Sequence, residues 1–313
     1  MEYFLFFLGF LVLIFGADFL VEGASSLAKK LNLSDAVIGM TIVAFGTSAP
    51  ELIVNVIASF QGKSQLAFGN IIGSNISNIL LILGCTALFN EIRIHRKMTS
   101  REIPFVVFSC LILFFLVNDE ILLSLPESIL SRMDGFFLLI FFVLFFYLSF
   151  KKSGQEVEKV SSPKSTFVSL FQFFIGMMGL FFGGKWIVGG ASEIAKNFGI
   201  SEAFIGLAIV AIGTSLPELA TSVLAAMKKK TDIAIGNVVG SNIFNVYFVL
   251  GLSSLINPIE YDANLNFDLF INFLVSLLLL IPLFSKERHL RKKHGVLFLS
   301  LYLIYLMVLL YRN

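Results

Sequence analysis

The feature that most constrains this chain is a series of apolar runs, each close to the length that crosses a lipid bilayer. A transmembrane helix needs about 20 mostly apolar residues, and such runs recur throughout the 313-residue sequence. Only 14% of the residues are charged, whereas 57% are hydrophobic. We therefore predict an all-α polytopic membrane protein. Its ten predicted spans are residues 3–27, 36–60, 66–89, 103–118, 134–150, 167–191, 203–227, 233–256, 268–285 and 295–311.

The basic residues are concentrated in alternate loops between these spans. Eighteen of the 23 Lys and Arg residues lie in the loops after spans 1, 3, 5, 7 and 9. Loops rich in Lys and Arg remain in the cytoplasm, so both termini are predicted to lie outside the cell. The expected location is the cell membrane, with the lipid bilayer as a partner.

The chain also contains an internal repeat. After a shift of 167 positions, residues 4–84 align with 171–251 without a gap, and about half of the aligned positions are identical. Each half of the chain contains five predicted spans. Because five is an odd number, the second half enters the membrane in the opposite orientation to the first. The predicted repeats are 1–150 and 166–313, joined by a cytoplasmic linker at 151–165. Inverted repeats are typical of secondary transporters, which bind substrate where the repeats meet, although a channel can share this plan.

Each repeat contains a proline followed by a glutamate, in AFGTSAPE at 44–51 and AIGTSLPE at 211–218. Proline removes a backbone donor and breaks the helix, and the freed carbonyls are tolerated at membrane depth only inside protein or beside water. A carboxylate at this depth is costly, so its default interpretation is functional. The alanine seven residues before each glutamate is expected to offer a carbonyl from the break. The candidates are Ala44, Thr47, Ser48 and Glu51, then Ala211, Thr214, Ser215 and Glu218.

The following span adds a stripe of oxygen atoms in each repeat, GNIIGSNISN at 69–78 and GNVVGSNIFN at 236–245. Its further candidates are Ser74, Asn78, Ser241 and Asn245. Four more asparagines are predicted either as ligands or as hydrogen bonds between helices, and two residues beyond the glutamates are candidates for an access path. These are Asn70, Asn75, Asn237 and Asn242, and then Asn55 and Ser222.

Both motifs offer carboxylate, hydroxyl, amide and carbonyl oxygens, and neither contains His or Cys. Hard oxygen ligands favour Ca²⁺, Mg²⁺ or alkali ions over zinc or copper. Two glutamates from opposite repeats would neutralise one divalent ion, and Mg²⁺ requires a tighter octahedron than a flexible cage supplies. We predict no cofactor, no nucleic-acid partner and no obligatory protein partner. An enzyme is disfavoured because neither motif contains a nucleophile or a second carboxylate.

Other ionisable residues are expected to lie outside the site. Asp18 and Glu22 in the first span align with Lys185 and Gly189 of the second repeat, which are not acidic. We therefore expect the two acids near the cytoplasmic rim. The histidines lie in basic loops, where we expect them to be solvated; they are His95, His289 and His294.

At these motifs the sequence resembles the sodium/calcium exchanger family of the calcium/cation antiporter superfamily, in its compact prokaryotic form. The alpha repeats of that family correspond to residues 39–84 and 206–251. The resemblance implies ten helices in two inverted repeats. It also implies secondary antiport, with Ca²⁺ extrusion driven by the entry of about three Na⁺ per Ca²⁺.

The resemblance further implies a role for each candidate residue. Two glutamates would be shared by Ca²⁺ and Na⁺, and two threonine hydroxyls with two alanine carbonyls would complete the cage. Four serines would serve flanking Na⁺ sites, and two asparagines would lie at the middle level. In that order they are Glu51 and Glu218; Thr47, Thr214, Ala44 and Ala211; Ser48, Ser74, Ser215 and Ser241; Asn78 and Asn245.

One position departs from the family pattern. Many relatives carry Asp where this chain has Asn245, and in potassium-dependent relatives that acid is associated with K⁺ transport. Its absence implies that transport does not need K⁺. The alternative is a proton-coupled cation exchanger of the same superfamily. Such exchangers typically carry an extra acid in the helix where this chain has Ser74 and Ser241.

Overall fold

The computed structural model describes residues 2–95, 98–120, 127–151, 165–197, 211–281 and 288–312. The main helices are α1 (Glu2–Lys30), α2 (Asp35–Thr47), α3 (Ala49–Phe60), α4 (Ser64–Phe89), α5 (Met98–Leu116), α6 (Arg132–Lys151), α7 (Thr166–Asn197), α8 (Ala211–Thr214), α9 (Leu216–Met227), α10 (Thr231–Ile256), α11 (Asn266–Leu278) and α12 (Lys292–Arg312). Short strands connect some of them: β1 (Ile92–Arg93), β2 (Ile129–Leu130), β3 (Ile259–Glu260) and β4 (His289–Leu290).

The fold is helical and apolar, as the sequence predicts. Within the described ranges, seven helices are long and apolar enough to cross a membrane, and the bent pair α2–α3 makes eight. The predicted spans 203–227 and 268–285 are described only in part, because residues 198–210 and 282–287 lie outside those ranges. Most of the predicted linker, at 152–164, lies outside them too. The number of ten spans and the outside termini stay predictions.

Helices α4 and α10 form the centre of the molecule. In α10, 94% of the most apolar stretch is buried, against 17% in α12. Side chains such as Ile71 and Val238 pack in the apolar core around these two helices. The outer helices expose many phenylalanine, leucine and isoleucine side chains, which is expected of a surface that faces lipid. The helices that carry the Asn/Ser stripes are therefore the innermost ones.

Helices α1 and α7 occupy equivalent positions in the two repeats and pack in antiparallel directions. A Cβ atom on Gly16 would lie 2.7 Å from the backbone nitrogen of Leu180. A Cβ atom on Gly183 would lie 2.7 Å from the backbone nitrogen of Leu13. These two contacts are equivalent under the shift of 167 residues, as an inverted repeat requires. Only glycine allows the two backbones to approach so closely.

The strands form two antiparallel pairs, β1 with β4 and β2 with β3. Strand β3 is the repeat equivalent of β1, because Ile259 follows Ile92 by 167 residues. Each pair therefore takes one strand from each repeat. The pairs tie the repeats together at their loops, and one residue of each strand is buried.

The loops that the sequence assigns to one face contact each other. His95 Nε2, after α4, lies 3.0 Å from Asp232 Oδ2 at the start of α10. On the opposite face, Gln65 Nε2 donates to Asp262 Oδ2 over 2.8 Å. This grouping agrees with the alternation of basic loops along the chain. Which face is cytoplasmic stays a prediction.

Candidate ion-binding site

Both Pro–Glu motifs break their helices, as the sequence predicts, and each break falls at a serine. Ser48 separates α2 from α3 with φ −84° and ψ 8°, and the two helices are bent by 47°. Ser215 separates α8 from α9 with φ −84° and ψ 2°. Pro50 and Pro217 lie in the first turn of the next helix, where a missing N–H is tolerated.

Each break places a glutamate in the first turn of the following helix. Glu51 on α3 and Glu218 on α9 are each only 1% exposed. Ser48 Oγ donates to Glu218 Oε1 over 2.9 Å, across the repeat interface. Ser74 Oγ donates to Glu51 Oε1 over 3.4 Å. The two glutamates thus belong to one buried site, and the N-terminal ends of their helices favour negative charge.

The threonines of the motifs also reach into the opposite repeat. Thr47 Oγ1 donates to Asn237 Oδ1 over 3.0 Å. Thr214 Oγ1 donates to Asn70 Oδ1 over 3.4 Å. The two contacts are equivalent in the repeats, and each threonine also faces the glutamate of the opposite repeat. The structure therefore brings the predicted threonines and glutamates together.

The four predicted serines lie at the same site. Besides the contacts of Ser48 and Ser74 with the glutamates, Ser215 Oγ lies 3.5 Å from Ser74 Oγ. Ser241 faces the Glu218 carboxylate but makes no hydrogen bond with it. All four serines are buried.

Asn78 and Asn245 lie in π-helical turns of the two central helices, Asn78–Ile82 and Phe244–Leu250. Turns of this kind interrupt an α-helix and are frequent at functional sites. Asn245 Nδ2 donates to Asn75 Oδ1 over 3.0 Å. Asn75 therefore forms a hydrogen bond between helices, which is one of the two roles predicted for it.

Several buried oxygens of these motifs have no hydrogen-bond partner within the described residues. Buried acceptors are usually satisfied, and an unsatisfied one in a region of low dielectric is costly. Because these oxygens belong either to the two carboxylates or to the central helices α4 and α10, the arrangement favours a cation. They are Glu51 Oε2, Glu218 Oε2, Asn78 Oδ1, Ser241 Oγ, Asn242 Oδ1 and Asn245 Oδ1.

The Ala44 carbonyl is not freed by the helix break, contrary to the expectation from the sequence. It accepts the N–H of Ser48 over 2.9 Å, and the Thr47 hydroxyl oxygen lies 3.4 Å from it. The break falls after Ser48, so the last helical hydrogen bond of α2 remains. Ala211 is the first residue of α8, directly after residues 198–210, which are not described. A ligand role for either carbonyl stays a prediction.

Asn55 and Ser222 do not line an open path, although the sequence made them candidates for one. Both are fully buried. Asn70 Nδ2 donates to Asn55 Oδ1 over 2.7 Å, and Asn237 Nδ2 donates to Ser222 Oγ over 3.0 Å. Their position one turn beyond each glutamate did not indicate this role, because both partners lie on the next helix.

Asp18 and Glu22 lie outside the site, as the sequence suggested, and both are ion-paired. Lys228 pairs with both acids, and Lys230 Nζ lies 3.1 Å from Glu22 Oε1. Both lysines follow α9, in a loop that is predicted to be cytoplasmic. The pairs therefore link α1 to the end of α9.

The histidines are not merely solvated, which corrects the expectation from the sequence. His95 contacts Asp232, as described above, and His289 Nδ1 lies 3.5 Å from Glu91 Oε2. His294 Nδ1 accepts the N–H of Arg291 over 3.0 Å. These contacts join loops at one end of the fold and do not reach the buried glutamates.

Known proteins are similar to this chain in sequence and in fold. The family model described as sodium/calcium exchanger protein matches residues 1–151 and 168–311. The sodium/calcium exchanger MaX1 of Methanosarcina acetivorans is 32% identical, covering 97% of this chain and 97% of its own. The putative antiporter CaxA of Alkalimonas amylolytica is 40% identical, covering 82% of this chain and 81% of its own. A solved structure of the sodium-calcium exchanger NCX_Mj matches with a TM-score of 0.84 at 32% identity, covering 98% of each chain. The chain is therefore a membrane transporter rather than an enzyme, and it belongs to the sodium/calcium exchanger family.

Proposed function

We propose that this protein exchanges Na⁺ for Ca²⁺ across the cell membrane by alternating access. The observation that carries this proposal is the buried pair Glu51 and Glu218, contributed by opposite repeats, together with buried oxygens of the two motifs that have no hydrogen-bond partner among the described residues. A site between inverted repeats is suited to exposure on one face at a time. The names of MaX1 and NCX_Mj as sodium/calcium exchangers support this choice of ions.

The two carboxylates are the shared element of the site. Together they neutralise one Ca²⁺, and the same oxygens hold Na⁺ in turn because the two ions have nearly equal radii. Competition for one cage therefore couples the two fluxes. The proposed ligands are Glu51, Glu218, Thr47 and Thr214 with the carbonyls of Ala44 and Ala211 for Ca²⁺, Ser48, Ser74, Ser215 and Ser241 for the flanking Na⁺, and Asn78 and Asn245 at the middle level.

The proposed stoichiometry is three Na⁺ per Ca²⁺. Two glutamates cannot neutralise three Na⁺, so neutral serine oxygens must hold the third ion. One net charge then crosses per cycle, which is worth about 2.3 kcal/mol per 100 mV. A membrane potential that is negative inside therefore favours Ca²⁺ export.

We further propose that transport is independent of K⁺. Asn245 is neutral, and its amide nitrogen is already bonded to Asn75. The middle level of the site thus lacks a third carboxylate. The proposed arrangement has both termini outside and the linker 151–165 in the cytoplasm, between repeats 1–150 and 166–313.

The test is ⁴⁵Ca²⁺ uptake by the purified protein in Na⁺-loaded liposomes. We expect uptake when the Na⁺ gradient is directed outward, and no uptake when it is collapsed. Neither K⁺ nor a pH gradient should change the result. Uptake driven by a pH gradient alone would identify a proton-coupled exchanger, and an absolute need for K⁺ would contradict the role given to Asn245. Passive Ca²⁺ flux without Na⁺ would indicate a channel.

A further inference from the structure

We infer that Asn70 and Asn237 are positioning residues, which turn the hydroxyl hydrogens of Thr214 and Thr47 away from the transported ion. The inference rests on the proposed function, because the ion is what the threonine oxygens would meet. The two asparagines contact the threonines and are not themselves proposed as ligands. Each accepts a hydrogen bond from the threonine of the opposite repeat, over 3.4 Å to Asn70 and 3.0 Å to Asn237.

The relay that ends at Thr214 has one possible direction. Asn55 Nδ2 donates to the backbone carbonyl of Ala67 over 3.1 Å, and a carbonyl can only accept. Asn55 Oδ1 therefore accepts from Asn70 Nδ2, over 2.7 Å. The remaining oxygen of Asn70 faces Thr214, so the Thr214 hydroxyl must be the donor.

The relay that ends at Thr47 has the same pattern, with the Ser222 hydroxyl in the place of the Asn55 amide. Asn237 Nδ2 donates to Ser222 Oγ over 3.0 Å, which leaves Asn237 Oδ1 to accept from Thr47. The Thr47 hydroxyl has one hydrogen and two acceptors within reach. Asn237 Oδ1 at 3.0 Å is closer than the Ala44 carbonyl at 3.4 Å, so the asparagine is the preferred partner.

The direction of the hydroxyl decides whether a threonine can bind a cation. Thr47 also faces the Glu218 carboxylate. If its hydrogen pointed there, it would occupy an oxygen that the ion needs and would place positive charge towards the ion. With the hydrogen on Asn237, the lone pairs of the Thr47 oxygen are free for the cation. Both side chains are fully buried, so bulk water does not replace the amide.

The pseudosymmetry of the repeats supplies a matched test. A residue that acts through a second residue has no effect once that second residue is removed, and a double-mutant cycle measures this dependence. Ca²⁺ affinity is measured by equilibrium dialysis with ⁴⁵Ca²⁺ on the purified full-length protein. We expect Asn237→Ala to weaken Ca²⁺ affinity about tenfold, the effect typical of losing a residue that orients a metal ligand.

In a Thr47→Val background, Asn237→Ala should weaken the affinity no further. In a Thr214→Val background, it should still weaken the affinity about tenfold. A Thr47→Ser background keeps the hydroxyl, so sensitivity to Asn237→Ala should return there. The same set of backgrounds with Asn70→Ala should give the reverse pattern. Asn70→Ala should not change the Ca²⁺ affinity in the Thr214→Val background, and it should weaken the affinity in the Thr47→Val background. A purely structural asparagine would weaken binding equally in every background.

Two results would overturn the inference: equal losses in both valine backgrounds, or no loss from Asn237→Ala in the parent protein. If Asn237→Ala does not fold, Asn237→Leu fills the space without providing an acceptor and takes its place in the cycle. Failure of the proposed function gives a different result. If the site does not take Ca²⁺, the parent protein binds none in the dialysis assay; if Na⁺ is not the coupling ion, the parent protein still binds Ca²⁺ and only the Na⁺-driven uptake by liposomes is lost.

Discussion

The two repeats present the same side chains to the ion site but different ones at the ends of their first helices. Glu51 and Glu218 are equivalent, as are the threonines and serines around them. In contrast, the Glu22 side chain of α1 is matched by Gly189 of α7. The lysines that pair with Glu22 are matched by Gln61 and Lys63. The ion pairs between α1 and the end of α9 therefore cannot form between the equivalent positions of α7 and the end of α3.

We expect this difference to separate the residues proposed to bind ions from residues that bias access to one face. In an inverted-repeat transporter, the two access states arise when the repeats rock against each other around a fixed site. Equivalent residues exchange roles between the states and contribute equally to both. We therefore expect unmatched residues, such as Glu22, to make one state more stable than the other.

The largest effect is expected at the matched carboxylates. Glu51→Gln and Glu218→Gln should each abolish Ca²⁺ transport while the protein still folds, because either change leaves a divalent ion half neutralised in a buried site. The measurement is ⁴⁵Ca²⁺ uptake into Na⁺-loaded liposomes, with size-exclusion chromatography as the check on folding. Transport retained by one variant alone would mean that the two repeats do not share the ion equally.

A second matched pair lies where α1 and α7 cross. Gly16→Ala and Gly183→Ala should each destabilise the protein by about 1–3 kcal/mol, because a new Cβ atom meets backbone that cannot yield. The measurement is the thermal unfolding midpoint of the purified protein. Gly69→Ala is the control, since a Cβ atom there would meet nothing within 4 Å. Equal unfolding midpoints for Gly16→Ala and Gly69→Ala would contradict the close crossing of α1 and α7.

A smaller effect is expected at the serines. Ser74→Ala and Ser241→Ala should weaken Na⁺ dependence and lower its Hill slope more than they weaken Ca²⁺ affinity, because neutral oxygens matter most for the third Na⁺. Flux measured at a potential clamped with valinomycin checks this. Exchange that is insensitive to voltage would indicate two Na⁺ per Ca²⁺. Equal losses of Na⁺ and Ca²⁺ affinity in the two variants would contradict a specific role of these serines in Na⁺ binding.

The smallest effect is expected at the unmatched ion pairs. Glu22→Gln should change the ratio of Ca²⁺ affinities measured from the two faces only a few-fold, because partly exposed ion pairs contribute about 1 kcal/mol or less. Inside-out and right-side-out vesicles give the two affinities. Lys63→Gln at the opposite face is the control and should leave the ratio unchanged. The effect of Glu22→Gln should shrink at high salt, which screens the pairs in the parent protein. A larger effect of Lys63→Gln would contradict the proposed bias.

The sequence predicted the features that depend on short-range patterns. Pro50 and Pro217 predict the helix breaks because the missing N–H of proline removes a hydrogen bond within one helical turn. The repeat placed Glu51 and Glu218 in equivalent positions, and the apolar spans identified the membrane fold. All these signals are contained in residue type and spacing.

The contacts that organise the site could not be predicted in the same way. Nothing in the sequence pairs Thr47 with Asn237, because that hydrogen bond depends on how the repeats pack. For the same reason, the sequence could not decide whether the four further asparagines of the stripes bind an ion or form hydrogen bonds between helices. The π-helical turn at Asn78 adds one residue to a helix without changing its composition. Strands of two residues, such as β1, are too short for an alternating pattern.

The exchange of strands between repeats has a consequence for how such a chain could arise. Strand β1 pairs with β4 and strand β2 with β3, so one repeat by itself leaves both of its strands without a partner. Two copies inserted in opposite orientations would satisfy each other's strands. The fused chain thus keeps the form of an antiparallel homodimer, as expected if an ancestral gene encoding five spans and inserting both ways was later duplicated and joined.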